Sequence, residues 1–266
     1  MRRTRSSRPF RAWRTTATAL LAMTLAGVLA PESASAQPAS AVQPFSGRYE
    51  GRQKVAFLTA TALASIELRR SSRFIVYTMR TTVSVAFVER RFQECSVIRI
   101  EGERLLPMEY VHRDESSPEY NVHTRFDWVA GLAKTTLGGK PGPQAVSLDG
   151  STWDPMSYQV ALIALASRHQ PGDRDRFRVI ERGVLKEHEA TFEGPVAATD
   201  ASPLQYGIAS RKSKGLIALR LLPGESWRPA RVTLDEVTIT LMPTPVPAPT
   251  VLPEEGVPSC ENGRAS

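Results

Sequence analysis

Trp153-Asp154-Pro155-Met156-Ser157-Tyr158-Gln159-Val160-Ala161-Leu162-Ile163-Ala164-Leu165-Ala166-Ser167-Arg168 is the stretch that decides the fold. Asp154 suits the N-cap, where its carboxylate accepts from a free backbone N–H of the first turn, and Pro155 suits the first helical position. His169-Gln170-Pro171-Gly172 supplies the stop, because proline cannot continue a helix and glycine permits the turn out. At 3.6 residues per turn, Met156, Val160, Ile163 and Ala164 fall on one side and Tyr158, Leu162 and Leu165 on another. A helix apolar nearly all round needs cover on more than one side. The spacing therefore predicts one buried helix, about 155–168, with a sheet curved around it.

Outward from the helix the chain reads as strands. Phe74 to Val83 is rich in β-branched and apolar residues, and turns fall at Arg70-Ser71-Ser72-Arg73 and Glu101-Gly102-Glu103. Arg104–Arg113 and Tyr120–Val129 read as a hairpin. In its second arm Tyr120, Val122, Phe126 and Trp128 share one face, and Asn121, His123, Arg125 and Asp127 the other. That alternation fits a sheet with one face in a core and one in water. After the helix, Arg174–Glu181, Val184–Phe192, Leu204–Ser210, Leu216–Leu222 and Ala230–Met242 continue the pattern. The expected class is mainly β: a single antiparallel curved sheet forming an open or half barrel, with the helix on its concave side.

Three segments follow from composition. Residues 1–36 read as a signal peptide: six arginines open it, Thr18–Ala30 is an apolar run too short to span a bilayer, and Ala34-Ser35-Ala36 is a cleavage site. The expected location is periplasmic, with secretion the alternative, and no transmembrane anchor after cleavage. Residues 37–242 form one β-rich domain. Residues 243–266 carry Pro243, Pro245, Pro247, Pro249, Pro253 and Pro258 among small residues, the composition of a disordered tail.

The whole chain carries +7, but the leader holds six arginines and one glutamate, leaving +2 for the remainder. Net charge thus gives no reason to expect nucleic acid as a partner. A Cys95–Cys260 bridge would tie the tail to the sheet, yet the proline-rich segment before Cys260 favours cysteines that stay apart.

Chemistry-bearing patterns are sparse. None of His112, His123, His169 and His188 sits in a zinc-protease motif, and there is no CxxC pair, phosphate loop or G-x-S-x-G elbow. If paired positions in the hairpin sum to 235, His112 faces His123; a slip of one residue sends His112 to the opposite face. Asp154 reads as a helix cap rather than a catalytic carboxylate. No catalytic residue, metal or cofactor is expected, and a hydrolase using Asp154 or the hairpin histidines is a minor reading. Phe126, Trp128, Trp153, Tyr158, Leu162 and Leu165 are the candidate lining of an apolar ligand cleft beside the helix, with plain core filling as the competing role.

The order of landmarks resembles a family of periplasmic proteins, domain of unknown function 3108. The residues carrying the resemblance are Leu105-Leu106-Pro107, the entry Trp153-Asp154-Pro155-Met156-Ser157-Tyr158, and Arg228-Pro229-Ala230-Arg231-Val232, over most of Phe45–Met242. Glycines that the family tends to show between its first strands are missing near Leu58, and the proline-rich tail with Cys260 is extra. The resemblance implies the curled sheet with its helix, similar in outline to periplasmic carriers of lipids and lipoproteins, and no catalytic residues. The function expected on these grounds is an exported envelope protein that binds or carries a hydrophobic, lipid-like ligand without catalysis. The alternative is a structural or interaction protein that meets an envelope partner through its sheet edge or proline-rich tail.

Overall fold

The computed structural model describes residues 39–55, 58–196, 205–212, 215–234, 237–243, 248–249 and 251–261. Residues 1–36, read above as a signal peptide, lie outside them. The first half of the chain runs through β1 (Phe45–Val55), β2 (Leu58–Arg70), β3 (Phe74–Val85), β4 (Val88–Glu101), β5 (Arg104–Asp114), β6 (Val122–Asp127) and β7 (Leu132–Leu137). Short strands β8 (Lys140–Pro141), β9 (Val146–Ser147) and β10 (Thr152–Trp153) lead into the helix α1 (Pro155–Ala166). Then come β11 (Arg174–Glu181), β12 (Val184–Val196), β13 (Gln205–Lys212), β14 (Gly215–Leu222), β15 (Arg228–Leu234) and β16 (Val237–Leu241).

These strands make one sheet, ordered β10-β11-β12-β13-β14-β15-β16-β1-β2-β3-β4-β5-β6-β7-β8, with β9 on β7. Two antiparallel meanders, β1–β8 and β11–β16, meet where β1 pairs with β16 at Tyr49↔Leu241 and Glu50↔Thr240. Gly51 permits that junction: a Cβ there would lie 2.3 Å from the Thr238 carbonyl oxygen. The ladder is not closed at its other end. Side chains fill that seam instead, with Phe126 and Ala133 of the first meander packed on Ile180 of the second. The connector spans the same gap, since β9 pairs with β7 and β10 runs parallel to β11.

The helix occupies the concave side, and every residue from Met156 to Ala166 is buried. It joins a core built from the inward residues of both meanders, including Ile66, Leu68, Tyr77, Ile98, Phe177, Val179, Phe192, Leu219 and Val232. Tyr158 shows why the packing is specific. Its ring meets Phe177 edge-on at 4.9 Å, and its hydroxyl donates to Ser210 Oγ at 2.6 Å. The apolar side chain supplies area, while the hydrogen bond removes the cost of burying the hydroxyl.

Strands β3–β5 are apolar on both faces, and their outer face carries a second layer. Phe74, Val76, Val97 and Val111 form a cluster there with Leu252 and the disulfide Cys95–Cys260. The segment 251–261 is thus a strap on the convex face, unlike the structureless tail and separate cysteines that proline content favoured. Its polar anchors are Glu254, which accepts from Ser72 N and Oγ, and Cys260 N, which donates to Glu109 at 2.9 Å. Buried apolar area plus a covalent tie offsets the entropy that proline composition alone does not. Residues 244–247, 250 and 262–266 lie outside the described residues.

Candidate functional site

The helix entrance is where a buried charge meets the core. Asp154 is fully buried, and its carboxylate accepts four hydrogen bonds. Met156 N and Ser157 N donate to Oδ1 at 2.9 Å each, Ser157 Oγ donates to Oδ2 at 2.7 Å, and Ser96 Oγ of β4 donates to Oδ2 at 2.9 Å. Asp154 N donates back to Ser157 Oγ at 3.0 Å, completing a capping box. Burial pushes the Asp154 carboxyl up to about 6, only partly opposed by these donors. Asp154 and Pro155 therefore do the structural task expected from sequence. Ser96, 58 residues away, is the partner that sequence could not name.

The candidate cleft residues separate into two places. Trp153, Tyr158, Leu162 and Leu165 are at most 2% exposed and belong to the main core. Phe126 and Trp128 lie at the seam, stacked on each other at 6.5 Å, and Trp128 Nε1 donates to Pro107 O at 2.6 Å. A single cleft lined by all six does not exist. The physical reason is that the helix meets the sheet on every side, so its aromatic neighbours are consumed in packing.

The histidines separate as well. The β5–β6 ladder pairs Val111 with His123 and His112 with Val122, one residue off the register that would oppose the two histidines. His112 lies 3.4 Å from Glu94, and His123 Nε2 lies 2.9 Å from Glu109 Oε1. The one-turn helix Pro118–Tyr120 in the connection sets this register. Buried His188 and half-buried His169 face Glu181 and Asp175. Among the described residues, no three or more His, Cys, Asp or Glu side chains are placed to hold a metal ion, and no helix is long and apolar enough to cross a membrane.

A groove of about 880 Å³ lies on the convex face, away from the helix. Its floor is a row of outward positions on neighbouring strands: Val97 of β4 opposite Glu109 of β5, Glu109 opposite Arg125 of β6, and Arg125 opposite Lys134 of β7. Met108, Trp128, Val129 and Leu132 make an apolar end that reaches the buried seam at Phe126, and Val257, Pro258 and Ser259 of the strap form a wall. Val129 and Val257 are 102% and 68% exposed, apolar side chains left in water at the rim. Glu109 stiffens the junction of floor and strap. Its Oε1 faces His123, its Oε2 accepts from Cys260 N, and the hydrogen bond with His123 is the main reason its carboxyl is held down at about 2. Residues drawn from positions 97 to 259 line this site, so no local pattern announced it. The signal that existed was indirect: Phe74-Ile75-Val76-Tyr77 and Val97-Ile98 are apolar on both faces, which requires cover on both sides of the sheet.

Comparison with known proteins agrees with this architecture. A family model described as "Protein of unknown function (DUF3108)" matches residues 48–194, more than half of the chain, and the chain belongs to that family. A crystal structure of a beta-barrel-like protein of domain of unknown function DUF1849 from Brucella abortus is similar in fold. It superposes with a TM-score of 0.55 at 13% identity, covering 76% of this chain and 96% of that one. No curated protein matches.

Proposed function

We propose that this protein is an exported, non-enzymatic binder or carrier of a hydrophobic, lipid-like ligand, and that the ligand occupies the convex groove beneath the strap. The observation that carries the reading is the groove itself: about 880 Å³, with Met108, Trp128 and Leu132 at one end and exposed Val129 and Val257 at its rim. That volume is in the range of small-molecule sites, and bringing such side chains out of water is worth about 25 cal/mol per Å² of apolar area. The Cys95–Cys260 bridge supports export, because disulfides persist in oxidising compartments. The strap is here a wall of the site, so deleting the tail would remove the groove together with any surface for a protein partner.

The test is native mass spectrometry of residues 37–266 purified without detergent from an oxidising bacterial compartment. Added mass that disappears on organic extraction is expected, and Val257→Asp, at an exposed position, is expected to lower its occupancy at least tenfold. A bare mass, together with no uptake of added long-chain alcohol or fatty acid, would overturn the reading.

A further inference from the structure

The groove floor carries two neighbouring cationic side chains. Arg125 and Lys134 are exposed and directly opposite each other in the β6–β7 ladder. Like charges so placed repel unless something anionic lies between or above them. Neither has a carboxylate partner within ion-pair distance among the described residues, whereas Arg99 at the same groove is held by Glu101 at 2.7 Å. The nearby carboxylates are turned to other partners. Glu109 accepts from Cys260 N and faces His123, and Asp127 Oδ1 accepts from Val129 N and Ala130 N in the turn after β6. Arg125 Nε lies 3.3 Å from His123 Nε2, a nitrogen that accepts from Arg125 only when it is not donating to Glu109. The two terminal guanidinium nitrogens have no acceptor within hydrogen-bond distance among the described residues.

Resting on the carrier reading, we infer that the ligand is a single-chain amphiphile with a carboxylate head, a long-chain fatty acid, whose head meets Arg125 and Lys134 while its chain lies toward Trp128 and Val257. An arginine fork matches a carboxylate with two parallel hydrogen bonds, and the opposing lysine adds a point charge. The head is monoanionic because Glu109 and Asp127 share the wall, and a doubly charged phosphate would meet more repulsion there. The apolar end continues from the same floor, so one chain reaches both features.

Displacement of a fluorescent probe by dodecanoate, 1-dodecanol and dodecyl phosphate separates the possibilities. Dodecanoate is expected to bind about tenfold more tightly than dodecanol, the scale of a charge-assisted hydrogen bond. The double variant Arg125→Gln/Lys134→Gln, at exposed positions, is expected to melt like the parent and to bring dodecanoate to the dodecanol level, with dodecanol changed less than threefold. Equal binding of acid and alcohol by the parent overturns the head-group assignment and leaves the carrier reading standing. Tighter binding of dodecyl phosphate than of dodecanoate overturns the carboxylate assignment. Binding of none of the three overturns both.

Discussion

Asp154→Ala is expected to destabilise the fold by about 4 kcal/mol at pH 5, seen as a fall in melting temperature on the order of 10 °C. The substitution leaves two first-turn N–H groups and the hydroxyls of Ser96 and Ser157 without their acceptor inside the core, at roughly 1–3 kcal/mol per unsatisfied group before relaxation. The cost should shrink at higher pH. Burial holds the folded carboxyl up at about 6 against its ordinary value of 3.8, so the native state binds its proton more tightly than the unfolded chain does. Stability contributed by that proton is present below about pH 4 and is lost as pH rises through about 6, a change on the order of 3 kcal/mol. Asp154→Asn keeps a side-chain acceptor for the cap and cannot ionise. Its stability is expected to be flat across pH 5–7 where the parent declines. Glu109 does not confound the comparison in that window, because with a folded value near 2 its own loss sets in as pH falls below its ordinary value of 4.5. A parent whose stability rises from pH 5 to pH 7 would contradict this account of the cap.

The double variant Cys95→Ala/Cys260→Ala is expected to lose about 3 kcal/mol, also on the order of 10 °C in melting temperature. The bridge closes a sequence separation of 165 residues, for which chain entropy alone would give about 5 kcal/mol. The measured loss should be smaller, because the strap can peel away while the meanders stay paired. That partial release has its own readout. Amide exchange at 251–261 should accelerate far more than exchange in α1, and ligand occupancy should fall with it. Unchanged melting together with unchanged exchange in the strap would mean that Leu252 and the Glu254–Ser72 contacts hold it without the bridge.

The helix and its sheet were legible because their signals are local. An aspartate-proline entry, an all-round apolar turn pattern and a proline-glycine stop fix α1 within a few residues, and alternation such as Val122, Thr124 and Phe126 marks inward faces. The β5–β6 register was not legible: one extra residue taken up around Pro118–Tyr120 moves His112 to the other face, and pairing periodicity of two has no tolerance for that. The aromatic cleft beside the helix failed for a different reason. Trp153 and Tyr158 look alike in sequence whether they line a pocket or fill a core, and the surrounding meanders decide. The strap was hidden by its prolines, whose composition describes the free chain and omits Leu252 and Cys260 packing on Phe74 and Val97.

Photolabelling tests most directly where the ligand sits. Residues 37–266 would be loaded with a long-chain fatty acid carrying a diazirine near its end, irradiated, digested and mapped. Label is expected on residues 126–132 or 257–259, at the apolar end of the groove. Label concentrated on residues 153–166, or no label above that of a denatured control, would contradict a binding site on the convex face.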